Sequence, residues 1–332
     1  MTYRDAVLGQ SEDSDDGLGQ RLASQITSYL PSRMSQLMNK VKREKPALVA
    51  VMGATGSGKS TFINKACDAG MAVGGNLESC TQSIEVSKSF TLEGRTTYLI
   101  DTPGFDDTNK SDADILKEIA LYFAESYKQG IQISGVIYLH RITDNRVSGV
   151  TRRNMMMFQQ LCGFDAMSNV MIVTTMWQKL EDQEEGNERE QQLGAQGIFF
   201  KHAFEGGAQL ARHLQNTRES ALAVISKLLA KDPVTLQIQR EMVDEGKSLT
   251  DSAAGSQLDS ELREQIKKCQ EELEEIRKEM AAVRYQDAMR QKGLEDEAET
   301  LRESLNRARE EKEKIATDYE KLWEEAKKRG GC

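Results

Sequence analysis

Cysteine, histidine and long apolar runs are all scarce in this chain of 332 residues. The five cysteines (Cys67, Cys80, Cys162, Cys269, Cys332) are scattered, odd in number and without a CxxC pair. That excludes a disulfide framework and points to reduced thiols. The three histidines, His140, His202 and His213, have no spacing on which a zinc site could stand. No run of about 18 apolar residues occurs, so no membrane span is expected. The opening segment MTYRDAVLGQSEDSDDG is acid-rich without an apolar core, so no leader peptide is expected. Cys332 is the last residue, whereas a prenylation box needs its cysteine fourth from the end. A soluble, cytoplasmic protein is the expectation.

Aromatics contribute 6% and apolar residues as a whole 38%, against 29% charged. This suffices for one core but is thin for the length, so part of the chain is expected outside it. The formal net charge of −9 gives no general attraction to polyanions. Neither nucleic acid nor an anionic membrane is therefore an expected partner.

Residues 1–20 are polar and acidic and read as disordered, and residues 21–45 as a possible helical extension broken at Pro31. From Ala47 the texture changes. Short apolar runs at Ala47–Met52, Thr96–Ile100, Ser134–Leu139 and Asn169–Thr174 alternate with helical patterning at Ser60–Asp68, Ala113–Tyr127, Thr151–Leu161 and Thr217–Ala230. Alternation of this kind predicts an α/β three-layer sandwich around a mainly parallel sheet. Ile84–Leu92, Glu93-Gly94 and Arg95–Ile100 read as a hairpin, adding one antiparallel edge strand. The expected domain spans 46–243, followed by a Gly/Ser/Asp-rich linker at 244–257.

The tail, 258–329, is a different material, with dense mixed charge and no proline. Leu262, Ile266, Cys269, Leu273, Ile276, Met280 and Val283 alternate by threes and fours. After polar Asp287 and Arg290 the series resumes at Leu294, Ala298, Leu301, Leu305, Ala308, Ile315, Tyr319 and Leu322, the steps of four through Arg290, Leu294 and Ala298 forming a stutter beside Gly293. A long C-terminal α-helical coiled coil is predicted, which needs a partner or folds back at the stutter.

Gly53-Ala54-Thr55-Gly56-Ser57-Gly58-Lys59-Ser60 fits GxxxxGK[ST], behind a strand and ahead of a helix that opens with Thr61. That context gives the pattern its force. Backbone N–H groups curl around the β-phosphate, Lys59 neutralises phosphate oxygens and the Ser60 hydroxyl ligates Mg²⁺. Asp101-Thr102-Pro103-Gly104 ends a second core strand. Asp101 is placed to hold Mg²⁺, and Gly104 to bring its N–H to the γ-phosphate. Thr81, in Glu78–Ser83, is the candidate to close on the metal and γ-phosphate, although loops are full of threonines.

GATGSGKS, CTQ and DTPGFDD resemble the G domain of the septin, immune-associated nucleotide-binding (IAN) and chloroplast import GTPase branch. YLHRITDNR, NVMIVTTMW and RHLQNTRESA look like fungal G-domain proteins with a C-terminal coiled coil. The resemblance covers about residues 45–250. It implies GTP as ligand, Mg²⁺ as cofactor, GTP hydrolysis, and a homodimer formed through the G domain or the coiled coil, with a further protein partner of unknown identity.

Two positions depart from that pattern. Guanine is normally read by [NT]KxD, but here the stretch is Thr174-Thr175-Met176-Trp177. An indole can stack on a base but cannot accept its hydrogen bonds. Trp177 either stacks on the purine or is core, and Glu181 or Asp182 could supply the carboxylate. The residue after DxxG is Phe105, which cannot orient a water. Hydrolysis is then expected to be slow and to draw on Asp106, Asp107, Arg141, Arg146 or a second copy. The loop His140–Arg146 reads as dimer-facing, base-side or merely solvated, and Gly206-Gly207 as a last base-side loop or an ordinary turn. A nucleotide-binding scaffold without turnover, or an NTPase without guanine preference, are the alternatives.

Overall fold

The computed structural model describes residues 46–68, 84–105, 110–144, 149–195, 200–282 and 288–330. The expectations for residues 1–45, and those resting on Thr81, Asp106, Asp107 and Arg146, lie outside the described residues.

The parallel strands are β1 (Ala47–Gly53), β4 (Arg95–Asp101), β5 (Gly135–Arg141), β6 (Val170–Thr175) and β7 (Gln209–Arg212), in spatial order β4-β1-β5-β6-β7. The antiparallel hairpin arm is split into β2 (Glu85–Val86) and β3 (Phe90–Leu92), both paired with β4. Ser87 lies in the break, where its N–H donates to the Leu99 carbonyl and its hydroxyl accepts from the Leu99 N–H. Glu93 and Gly94 turn the hairpin at φ 50° and 77°, the left-handed pair that a two-residue loop requires. β1 is buried throughout and alternates between faces: Leu48, Ala50 and Met52 join one core cluster, and Ala47, Val49 and Val51 the other.

One face of the sheet carries α1 (Lys59–Cys67) and α6 (Arg218–Leu229). The opposite core includes α2 (Asp112–Lys128) and α3 (Gly149–Cys162). Two further helices, α4 (Gln183–Ala195) and α5 (Lys201–Glu205), precede β7. β7 itself, QLAR, is a mostly exposed edge strand without the apolar alternation that would have revealed it.

The tail differs most from expectation. α7 begins at Ala253 and runs to Ala282, and α8 runs from Ala288 to Gly330. The two helices pack on each other as a hairpin through Cys269, Leu273 and Ile276 of α7 and Leu294, Ala298 and Leu305 of α8. Gly293 lies inside α8, so the reversal falls between the helices rather than at the stutter. The hairpin also rests on the α/β domain, with α7 against α3 and α8 against α2. Leu258, Leu262, Ala308 and Ile315 belong to the main core cluster. In the stretch expected as a linker, Leu249 and Ser252 are buried, and the Glu241 carboxylate accepts from the Ala253 N–H at 3.0 Å. Among the described residues no helix is long and apolar enough to cross a membrane.

Candidate functional site: a phosphate loop at the carboxyl edge of the sheet

The loop after β1 turns back sharply. Gly53 has φ 137°, and a Cβ there would lie 2.3 Å from the Leu139 carbonyl oxygen, so only glycine lets β1 leave the sheet beside β5. Gly56 and Gly58 are also left-handed (φ 73° and 97°), and Gly58 is the N-cap of α1. The Ser57 N–H donates to the Ala54 carbonyl at 3.1 Å. Thr61 is half-buried in the first turn of α1. The Ser57 hydroxyl is buried with no hydrogen-bond partner.

Lys59 is buried, and its Nζ donates to the Gly53 and Ala54 carbonyls at 2.9 and 3.1 Å. The ammonium therefore sits inside the curl. Ser60 Oγ donates to Asp101 Oδ2 at 2.7 Å, with Asp101 1% exposed at the end of β4. A hydroxyl and a carboxylate, both hard oxygen donors, thus meet at the entrance to α1. Among the described residues no group of three or more His, Cys, Asp or Glu could hold a metal. A two-oxygen site that leaves its other positions to phosphate and water suits Mg²⁺.

The Asp101–Gly104 segment presses on this loop. Thr102 Oγ1 donates to the Val51 carbonyl at 3.0 Å. A Cβ on Gly104 would come within 2.6 Å of Thr55 N and 3.0 Å of Lys59 Nζ. Phe105 is buried, and its carbonyl accepts from Asn154 Nδ2 at 3.0 Å. Its ring is core, consistent with a residue that orients no water. Asn154 was not legible as a site residue, because an asparagine inside an apolar helix carries no motif.

Arg141 reaches the same loop from the end of β5. Its Nη1 is 3.4 Å from the Thr55 carbonyl oxygen, and its Nε pairs with Asp144 at 3.0 Å. Its neighbour His140 is buried, and loss of hydration pushes its pKa down to about 4, with Asp144 opposing that shift.

On the base side the structure corrects the sequence. Trp177 is 1% exposed and its Nε1–H donates to Thr174 Oγ1 at 2.9 Å. The Arg212 guanidinium lies 4.3 Å over its ring, and a Cβ on Gly186 would be 2.7 Å from the same ring. Trp177 is therefore core and presents no face to a purine. Thr174 is buried with it, donating to Glu190 Oε1 at 3.0 Å, and Glu190 is paired with Arg212 Nε at 2.8 Å. Thr175, in the lysine position, ties β6 to the phosphate loop, its Oγ1 donating to the Ser57 carbonyl at 2.9 Å. Asp182 caps α4 by accepting from the Glu184 N–H, while Glu181 is exposed. Gly206-Gly207 precede β7 and pack under Met167 and Ser168, at the edge opposite the phosphate loop. The segment leaving β7 toward α6 is instead His213–Thr217. There His213 Nδ1 lies 2.8 Å from Ser220 Oγ and the ring packs edge-on to Phe62 of α1.

A parallel sheet whose first strand ends in this loop, with a hydroxyl–carboxylate pair and a DxxG segment against it, defines a P-loop nucleotide-binding domain of the GTPase class. Residues 48–175 match the family described as 50S ribosome-binding GTPase. No curated protein is similar to the chain. Among solved structures, Toc33 from Arabidopsis thaliana in complex with Mg²⁺ and GMPPNP aligns at 15% identity over 61% of this chain and 95% of that one, with a TM-score of 0.46. A structure described as "Dimerization is important for the GTPase activity of chloroplast translocon components atToc33 and psToc159" aligns at 14% identity over 68% and 99%, with a TM-score of 0.45. The bacterial selenocysteine-specific elongation factor EF-Sec aligns at 17% identity over 56% and 29%, with a TM-score of 0.39.

Proposed function

We propose that the chain is a GTP-binding protein acting as a slow, Mg²⁺-dependent GTPase switch that self-associates. The observation that carries this reading is the convergence of Thr55, Lys59, Ser60, Asp101 and the Gly104 backbone on one loop. Lys59 and the amides of residues 55–60 hold the β- and γ-phosphates and stabilise charge on the phosphoryl group in transfer. Ser60 and Asp101 would hold Mg²⁺, with Thr81 as the candidate further ligand from the sequence, and the ion would supply charge neutralisation at the phosphate oxygens. The Gly104 N–H senses the γ-phosphate.

Slow turnover follows from Phe105, whose ring is buried and offers no hydrogen bond to water. Among the described residues, Arg141, lying along the Thr55 carbonyl and about one-third exposed, is a cation placed to act there or on a second copy. The same burial of Phe105 supports the second reading, a nucleotide-dependent scaffold without turnover. Guanine preference rests on the septin and IAN resemblance, because Trp177 cannot read the base and Asp182 is committed to capping α4.

Calorimetric titration with GTP and ATP analogues in Mg²⁺ tests the reading. A tenfold preference for guanine, about 1.4 kcal/mol, is expected, and Lys59→Ala should abolish binding. Equal binding of the two would remove the guanine assignment, and undiminished binding by Lys59→Ala would remove the phosphate-loop assignment. Turnover that rises with protein concentration supports the self-associating switch, and none at any concentration supports the scaffold.

A further inference from the structure

The tail hairpin is fastened to the first turn of α2, which α3 links to the end of the DxxG segment. Glu311 of α8 accepts from the Ala113 N–H in the first turn of α2 at 3.2 Å, and Lys314 pairs with Asp114 in the same turn at 3.0 Å. From the other arm, Glu261 of α7 pairs at 3.1 Å with Arg153 of α3, which also holds Asp112 at 3.2 Å. Asn154, the next residue on α3, holds the Phe105 carbonyl. Phe105 follows Gly104, whose backbone lies against Thr55 and Lys59. One turn of α3 thus grips both the end of the DxxG segment and the ion pairs that seat the tail.

The seating is costly as well as specific. Loss of hydration and the nearby Asp112 carboxylate hold the Glu311 pKa above its ordinary value, so this carboxylate is kept against α2 at an electrostatic expense. The apolar contacts of Leu258, Leu262, Ala308 and Ile315 hold the base of the dock.

We propose that the α7–α8 hairpin is an intramolecular effector whose docking on the first turn of α2 is coupled to the phosphate state of the bound nucleotide. The inference rests on the nucleotide-binding reading above. Thermodynamic reciprocity makes it measurable from the nucleotide side: if the γ-phosphate biases docking, weakening the dock must alter γ-phosphate discrimination.

The test uses the full chain with Glu311→Ala and Lys314→Ala together. Calorimetry in Mg²⁺ gives the affinities for GDP and for a non-hydrolysable GTP analogue. The ratio of the two affinities is expected to shift by about fivefold or more from that of the parent chain, the lower end of ordinary coupling. A ratio unchanged, or both affinities scaled by one factor, overturns the coupling. Lys314→Asp alone should also shift the ratio, and Asp114→Lys added to it should return the ratio toward the parent's by re-forming the pair with its signs exchanged. Failure of this rescue counts against the coupling, while its success excludes misfolding as the cause. A parent chain that binds neither nucleotide overturns the function reading and the inference with it. A parent that binds both while the variants keep its ratio overturns the inference alone.

Discussion

Shortening Leu262 to alanine distinguishes a tail that is part of the G-domain core from one that merely follows it. Leu262 is 1% exposed, on the second turn of α7's contact with the domain, and belongs to the same cluster as Ile119, Phe123 and Phe158. Leu→Ala at a buried site costs about 2–5 kcal/mol, because apolar contacts are lost and the cavity only partly collapses. For a unit of this size that lowers the unfolding midpoint by roughly 5–15 °C. Leu273→Ala is the matched control: Leu273 is 6% exposed but packs only within the hairpin cluster. Its loss should loosen the hairpin and leave the domain's unfolding largely in place. The assay is thermal unfolding followed both by far-ultraviolet circular dichroism and by release of a fluorescent nucleotide. Leu262→Ala should move both transitions together. If nucleotide release stays at the parent temperature while helical signal is lost earlier, the tail is an independent unit and the reasoning fails.

Trp177→Phe removes the indole hydrogen bond to buried Thr174 while keeping an aromatic ring under Arg212. Nucleotide affinity should stay within about twofold and stability should fall by about 1–3 kcal/mol in urea unfolding; a tenfold loss of affinity with unchanged stability would put the ring on the base. His140 is held neutral by burial, its pKa lowered from 6.5 to about 4. The unfolded chain takes up this proton first on acidification, so the stability this ring contributes is complete above pH 6.5 and lost as the pH falls toward 4. The loss between about pH 7 and about pH 5 should be on the order of 2 kcal/mol. Urea unfolding of His140→Gln should lack that portion of the acid dependence, and an identical pH profile would show that the ring is not the group that titrates.

The domain was legible where local pattern and tertiary role coincide. β1, β4, β5 and β6 are buried on both faces, so they read as short apolar runs, and their ends were placed within a residue or two. The phosphate loop was legible for a related reason: its glycines and Lys59 serve a backbone geometry created by neighbours in sequence.

What escaped was decided by contacts distant in sequence. Nothing in Thr174-Thr175-Met176-Trp177 says whether the indole faces a purine or a guanidinium; Arg212 arrives from an edge strand whose own pattern is blank, and its position turns Trp177 into core. The heptad spacing of the tail specified a helix with an apolar seam, and the seam alone is satisfied by a second chain or by the chain's own other half. The choice of the hairpin, and its seating on α2 and α3, lies in Leu258, Leu262, Ala308 and Ile315 meeting the domain core, and in Glu311 and Lys314 meeting residues some two hundred positions earlier. Local periodicity encodes which side of an element is apolar. Only the folded chain determines what that side is pressed against, because that depends on which distant surfaces the sheet brings within reach.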